Sequence, residues 1–163
     1  MLDRDKMNCM TLIAGKKASA TGRVLVAHNE DDGGYVVVRH GWVPAQDWAA
    51  GSVMPAEEGC AEIPQVSHTL GYYWTEYRKD TCGLTTADGF VNERGVVIVS
   101  NSMGTSRESM ENADCVKDGG IGYNLRRALA ERAGSAREGA RILMELIDEW
   151  GYAPSGRAST IAD

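Results

Sequence analysis

A chain of 163 residues with 43% hydrophobic content can bury one core, so a single domain is expected. Its formal net charge of −6 and the absence of any basic run argue against nucleic acid as a partner. The longest apolar runs, such as Val96-Val97-Ile98-Val99, have strand length, far below the roughly 20 residues a membrane-spanning helix needs, so no membrane partner is expected.

Taken in order, the chain opens on Met1-Leu2-Asp3-Arg4-Asp5-Lys6-Met7-Asn8. This segment is short, mostly polar and without the apolar stretch of a secretory signal, which predicts a cytoplasmic protein. Two apolar stretches follow, Met10 to Ala14 and Val24 to Ala27, separated by Lys, Ser, Thr and Gly residues. The pattern predicts two strands joined by a polar turn. Antiparallel pairing would bring Cys9, at the start of the first strand, close to His28, Asn29, Glu30 and Asp31 at the end of the second. A thiol beside a base and charged groups is an arrangement suited to covalent catalysis. A buried structural thiol is the competing reading of Cys9, since cysteine is among the most buried residue types.

Tyr35 to His40 is β-branched and predicts a third strand after the Gly33-Gly34 turn. The segment from Gly41 to Pro64 holds three of the four prolines, together with Trp42 and Trp48, and reads as an irregular surface excursion whose aromatic residues pin it to the core or, as the alternative, line a substrate cleft. His68 to Arg78 reads as one strand, with Tyr72, Tyr73, Trp74 and Tyr77 supplying β propensity. A second hairpin follows: Gly89-Phe90-Val91, a turn over Asn92-Glu93-Arg94-Gly95, and a return through Val96 to Ser100. A strand apolar on both faces predicts a layered architecture. Helices are expected from Ile121 to Arg132, with Ile121, Leu125 and Leu129 on one face, and after Ser135, where Glu138 completes a capping box and Gly151 a stop.

The four cysteines, Cys9, Cys60, Cys82 and Cys115, form no close pair, in keeping with a reducing compartment. The histidines His28, His40 and His68 are scattered, and the Asn29 to Gly34 run fits no calcium-loop register, so neither a metal nor another cofactor is expected.

Several motifs occur together. Cys9-Met10-Thr11, Gly15-Lys16-Lys17-Ala18-Ser19 and Asn29-Glu30-Asp31 are joined by Gly89-Phe90-Val91-Asn92-Glu93-Arg94-Gly95-Val96, Ser100-Asn101-Ser102, Gly119-Gly120-Ile121-Gly122-Tyr123-Asn124-Leu125-Arg126-Arg127, Ala136-Arg137-Glu138-Gly139, and Gly151-Tyr152 through Ile161-Ala162-Asp163. In this order they resemble the dipeptidase A-type cysteine peptidases, N-terminal nucleophile hydrolases related to choloylglycine hydrolase and penicillin V acylase. The resemblance implies an α+β fold of the four-layer αββα sandwich type. It implies that residues 1–8 are a leader removed on maturation and that 9–163 are the N-terminal portion of the hydrolase domain, an incomplete sandwich.

The implied activity is hydrolysis of a small peptide through an acyl-enzyme on Cys9, whose own α-amino group serves as base. The alternatives are an acylase of the choloylglycine or penicillin V type and a non-catalytic module for assembly or binding. Cys9 matches the nucleophile, Asp31 the aspartate near its amino group and Asn29 the residue two before it. His28 stands where related hydrolases commonly carry arginine, which keeps its charge at all working pH values, whereas histidine titrates near neutrality. Asn101, at the end of a buried strand, is the candidate oxyanion donor. His28 and Asn29 are the candidate substrate-binding residues. Family members are longer, so self-association or pairing with a missing C-terminal portion is expected.

Overall fold

The computed structural model describes residues 9–30, 36–55, 59–79, 85–103, 116–152 and 156–163. The leader 1–8, Asp31, the Gly33-Gly34 turn, Tyr35, Cys82 and Cys115 lie outside the described residues. The fold is α+β. In chain order the elements are β1 (Met10–Ala14), β2 (Leu25–Asn29), β3 (Val36–Val43), β4 (Gln46–Asp47), β5 (His68–Thr69), β6 (Tyr72–Lys79), β7 (Thr85–Asn92), β8 (Val97–Ser102), α1 (Asn124–Arg132), α2 (Ala136–Trp150) and β9 (Arg157–Ala162).

Five strands form one antiparallel sheet in the order β3-β6-β7-β8-β9. The apolar, polar, apolar pattern at the start of the chain gives the separate hairpin β1-β2, with Met10 opposite Asn29 and Thr11 opposite His28. Side chains alternate across a strand, and β8 shows both directions. Ile98 packs in a core with Leu129, Ala130 and Ala133 of the α1 segment. Val97 and Val99 face a cavity on the other side that His28 and Glu30 of the first hairpin also line. The helices therefore cover one face of the sheet and the hairpin approaches the other. The second stacked sheet and outer helix layer of a four-layer sandwich are not seen among the described residues.

The helices start and stop where their chemistry dictates. Ser135 accepts a hydrogen bond from the Glu138 amide, and the Glu138 carboxylate accepts one from the Gly134 amide. Gly151 ends α2 at φ 74°, with its amide bonded to the Ile147 carbonyl, a conformation that favours glycine. The first helix begins at Asn124, later than the apolar spacing from Ile121 suggests. Gly122 at φ 63° holds a left-handed turn that a helix cannot contain.

Two other expectations change, and one strand forms that the sequence did not announce. The excursion after Gly41 is more ordered than its prolines indicate: β3 runs on to Val43, and Val53 bridges Pro64. Met54, Ala61 and Ile63 from this segment enter a core with Ile121, Leu125 and Trp150. Trp48 is pinned as expected, donating from Nε1 to Thr69 Oγ1 at 3.1 Å, whereas Trp42 is 54% exposed. The aromatic strand is interrupted at Leu70-Gly71, where glycine is required because a Cβ would lie 2.7 Å from the Trp42 ring. Finally, β9 forms the sheet edge although Arg157-Ala158-Ser159-Thr160-Ile161-Ala162 has only Thr160 and Ile161 as β-branched residues to announce it.

Two buried polar clusters lock the layers together. Asn92 donates through Nδ2 to the carbonyls of Ala130 and Ala133, at 3.1 and 2.7 Å, and accepts through Oδ1 from the amides of Arg94 and Val96. One side chain thus fixes the β7-β8 turn to the end of α1. Glu131, 2% exposed, is held by Arg127 Nε and Gln65 Nε2, both at 2.7 Å, with the Tyr72 hydroxyl at 3.5 Å. Burial, and secondarily the Glu131 charge, push the Tyr72 phenol pKa up against the opposing effect of Arg127.

Candidate active site on the first hairpin

Chemistry-bearing residues gather where β1 and β2 end together. Cys9 stands two residues before Thr11, the spacing that puts alternate side chains of an extended chain on one face. Thr11 and His28 are register partners, and their side chains meet, with Thr11 Oγ1 2.9 Å from His28 Nδ1. The threonine hydroxyl donates to Asn101 Oδ1 at 2.6 Å. Its single proton is therefore committed to Asn101, and the contact with His28 requires the ring to donate from Nδ1. At the far side of the ring, Nε2 lies 3.3 Å from Glu30 Oε2. The result is a continuous polar chain, Glu30 to His28 to Thr11 to Asn101. It is sheltered, since the His28 and Glu30 side chains are 9% and 18% exposed.

Of the residues singled out in the sequence, Cys9, His28 and Asn101 come to this end of the hairpin. Asn29 does not join the chain: it pairs with Met10, and both residues are exposed on the opposite face of the hairpin from the Thr11 and His28 pair. Asp31 lies outside the described residues. Two members of the network had no assigned role in the sequence, Thr11 and Glu30. Alternation alone would have found them, since each lies two positions from a residue already singled out.

Beside the network is a cavity of about 220 Å³. His28 and Glu30 form its polar edge, Val91, Val97 and Val99 line it with apolar surface, and Tyr73 and Thr75 add hydroxyls. The arrangement suits a small ligand with an apolar side chain and a polar backbone. Among the described residues no group of three or more His, Cys, Asp or Glu side chains could hold a metal ion, and no helix is long and apolar enough to cross a membrane.

The family model for "Peptidase family C69" matches residues 8–163. The chain belongs to this peptidase family. C69 is the dipeptidase A-type family of cysteine peptidases that the motif order indicated, so the hairpin with Cys9 at its head belongs to a hydrolase. No curated protein matches the chain.

Proposed function

We propose that this C69 member is a cysteine-dependent dipeptidase. The Cys9 thiolate attacks the amide carbonyl of a small peptide, the C–N bond breaks as the leaving amine takes a proton, and water then hydrolyses the thioester. The observation that carries this reading is the sheltered polar chain Glu30-His28-Thr11-Asn101, assembled on the family's nucleophile-bearing hairpin.

Each group has a role in that reading. With its Oδ1 accepting from Thr11, Asn101 presents the amide nitrogen as its donor end, the polarity an oxyanion requires. A proton on both His28 nitrogens satisfies the contacts to Thr11 and Glu30 together. In that state the ring is the cation that arginine supplies at this position in related hydrolases. Removal of residues 1–8 converts the Cys9 nitrogen from an amide, whose lone pair is delocalised, to an amine able to act as base at a pKa of about 7.7–8.0. Asp31 orients that amine. The cavity beside His28 receives an apolar side chain of the substrate.

The hairpin in this reading is part of the inner sheet of an αββα sandwich, and its exposed Met10, Leu12 and Leu25 form a face for further packing. The cysteine usage supports a cytoplasmic setting.

Brief iodoacetamide treatment of the processed chain at neutral pH, followed by peptide mapping, tests the nucleophile. Cys9 should alkylate before Cys60, Cys82 or Cys115, because the neighbouring ammonium and His28 favour thiolate. Cys9→Ser should lose most dipeptide hydrolysis with its unfolding curve unchanged. First labelling at another cysteine, or wild-type turnover by the serine variant, would refute the mechanism.

A further inference from the structure

A second chemically furnished cavity lies away from the hairpin, on the helix-covered face of the sheet. It measures about 340 Å³ and opens between α2 and strands β8 and β9, at the low end of the roughly 300–1,000 Å³ of small-molecule sites. One wall is apolar, built by Leu143, Met144 and Ile147 of α2. The other end is polar and cationic, where Arg126 of α1 and Arg157 of β9 converge on the Tyr123 ring, at 5.6 and 4.9 Å from its centre.

Three observations mark that polar end as a place for an anion. Arg126 is 4% exposed, so a guanidinium is held largely out of water at the ring that Arg157 also approaches. None of the described residues that line the cavity is acidic. Two buried polar atoms there, Arg157 Nε and Ser100 Oγ, have no hydrogen-bond partner among the described residues, and Ser100 is 1% exposed. Buried donors left unmatched are costly unless something accepts from them. The ionisation of the neighbours agrees with this picture. Burial pushes the Tyr152 phenol up, while Arg157 and Arg126 pull it down, so both cations bear on the same point. Burial alone would lower the Arg157 pKa, but Tyr123, then Tyr152 and Glu30, raise it on balance, so it stays a cation.

We propose that this cavity binds a small amphiphilic anion, a carboxylate or phosphate monoester on a short apolar tail. The head sits on Arg157, Arg126 and the Ser100 hydroxyl, and the tail lies along Leu143, Met144 and Ile147. The site opens on the other face of β8 from the hairpin network, whose Glu30 nevertheless bears on Arg157. The two share strand β8, but Ser100 faces the cavity while its neighbour Asn101 reaches Thr11 on the other side.

Calorimetric titration of the full chain with hexanoate and with hexyl phosphate tests the proposal. Saturable one-to-one binding of at least one of them is expected, and which head binds identifies the anion. Hexanol and inorganic phosphate should each bind at least tenfold more weakly, since each lacks one half of the recognition. Arg157→Gln should weaken binding about tenfold or more, and Arg157→Lys should restore part of it. Because loss of a buried arginine can disturb folding, Met144→Glu gives an independent check. Met144 is exposed at the rim, so a carboxylate there should repel the anion while the unfolding curve is unchanged. No saturable binding by either probe, equal binding of hexanol, or affinity unchanged in both Arg157→Gln and Met144→Glu would overturn the proposal.

Discussion

At the scale of single residues, the hairpin illustrates how far a side chain's role depends on its bonding partners. His28 is a base, a ligand or a surface group in the abstract. Held between Thr11 Oγ1 at 2.9 Å and Glu30 Oε2 at 3.3 Å, it has a polar partner at each ring nitrogen. Asn101 is likewise oriented by one bond, from Thr11. Asn101→Ala should therefore lower kcat for dipeptide hydrolysis by about 10²–10³, the usual cost of losing one oxyanion donor, with KM little changed. In the same assay His28→Arg should keep more activity than His28→Ala, since the first retains a cation that can donate to both neighbours. Equal loss in the two variants would show that charge at this position is not what matters. The links that decide these outcomes run over 17 residues for His28 and 90 for Asn101. The first is implied by hairpin pairing and could be read from the sequence; the second could not.

At the scale of elements, stability is concentrated where buried polar groups join layers. Asn92 is 3% exposed and its side chain makes four hydrogen bonds, two within the β7-β8 turn and two to the end of α1. Replacing it with alanine would leave buried carbonyls and amides unmatched, each at about 1–3 kcal/mol. We predict that Asn92→Ala destabilises the chain by about 3 kcal/mol or more in urea unfolding. Ser135→Ala at the α2 cap provides the comparison, at about 1 kcal/mol. The turn itself was legible, because Asn92-Glu93-Arg94-Gly95 carries turn chemistry and Gly95 takes φ 79°. The partner of the Asn92 side chain was not, since it lies 38 and 41 residues further along.

At the scale of the whole molecule, two phenols, the buried Tyr72 and the half-buried Tyr152, should make the fold sensitive to alkali. Burial is the leading cause of the raised pKa of Tyr72 and of Tyr152. The folded state therefore holds these protons more tightly than the unfolded chain, where a tyrosine titrates near about 10. Their contribution is fully present below that value and is lost as pH rises through the raised folded pKa. Stability measured by urea unfolding should fall as pH passes about 10, and less steeply in Tyr72→Phe; equal slopes would exclude Tyr72 as a cause. The exposed apolar residues of the hairpin make a second whole-molecule prediction. Met10, Leu12 and Leu25 are 54%, 59% and 56% exposed, and contiguous apolar surface of this kind favours association. Light scattering should detect self-association, and the pair of changes Leu12→Lys and Leu25→Lys should shift the population toward monomer. A wild-type chain that stays monomeric on concentration would refute this.

The sequence by itself determined whatever depends on near neighbours. The two hairpins followed from apolar stretches around polar turns, and the second helix from Ser135, Glu138 and Gly151. The family followed from motif order, and a family match over residues 8–163 then bore it out. Tertiary structure alone decided what depends on distant partners. Met54 and Ile63 looked like parts of a loop because their proline-rich surroundings carry no periodicity, yet packing against Ile121 and Trp150 buries them. Strand β9 has weak propensity and forms because β8 offers it a full register from Val97 to Ser102. The bond from Thr11 to Asn101 follows the same rule. Periodicity records which face a residue occupies, but the surface opposite that face is set only when the layers close.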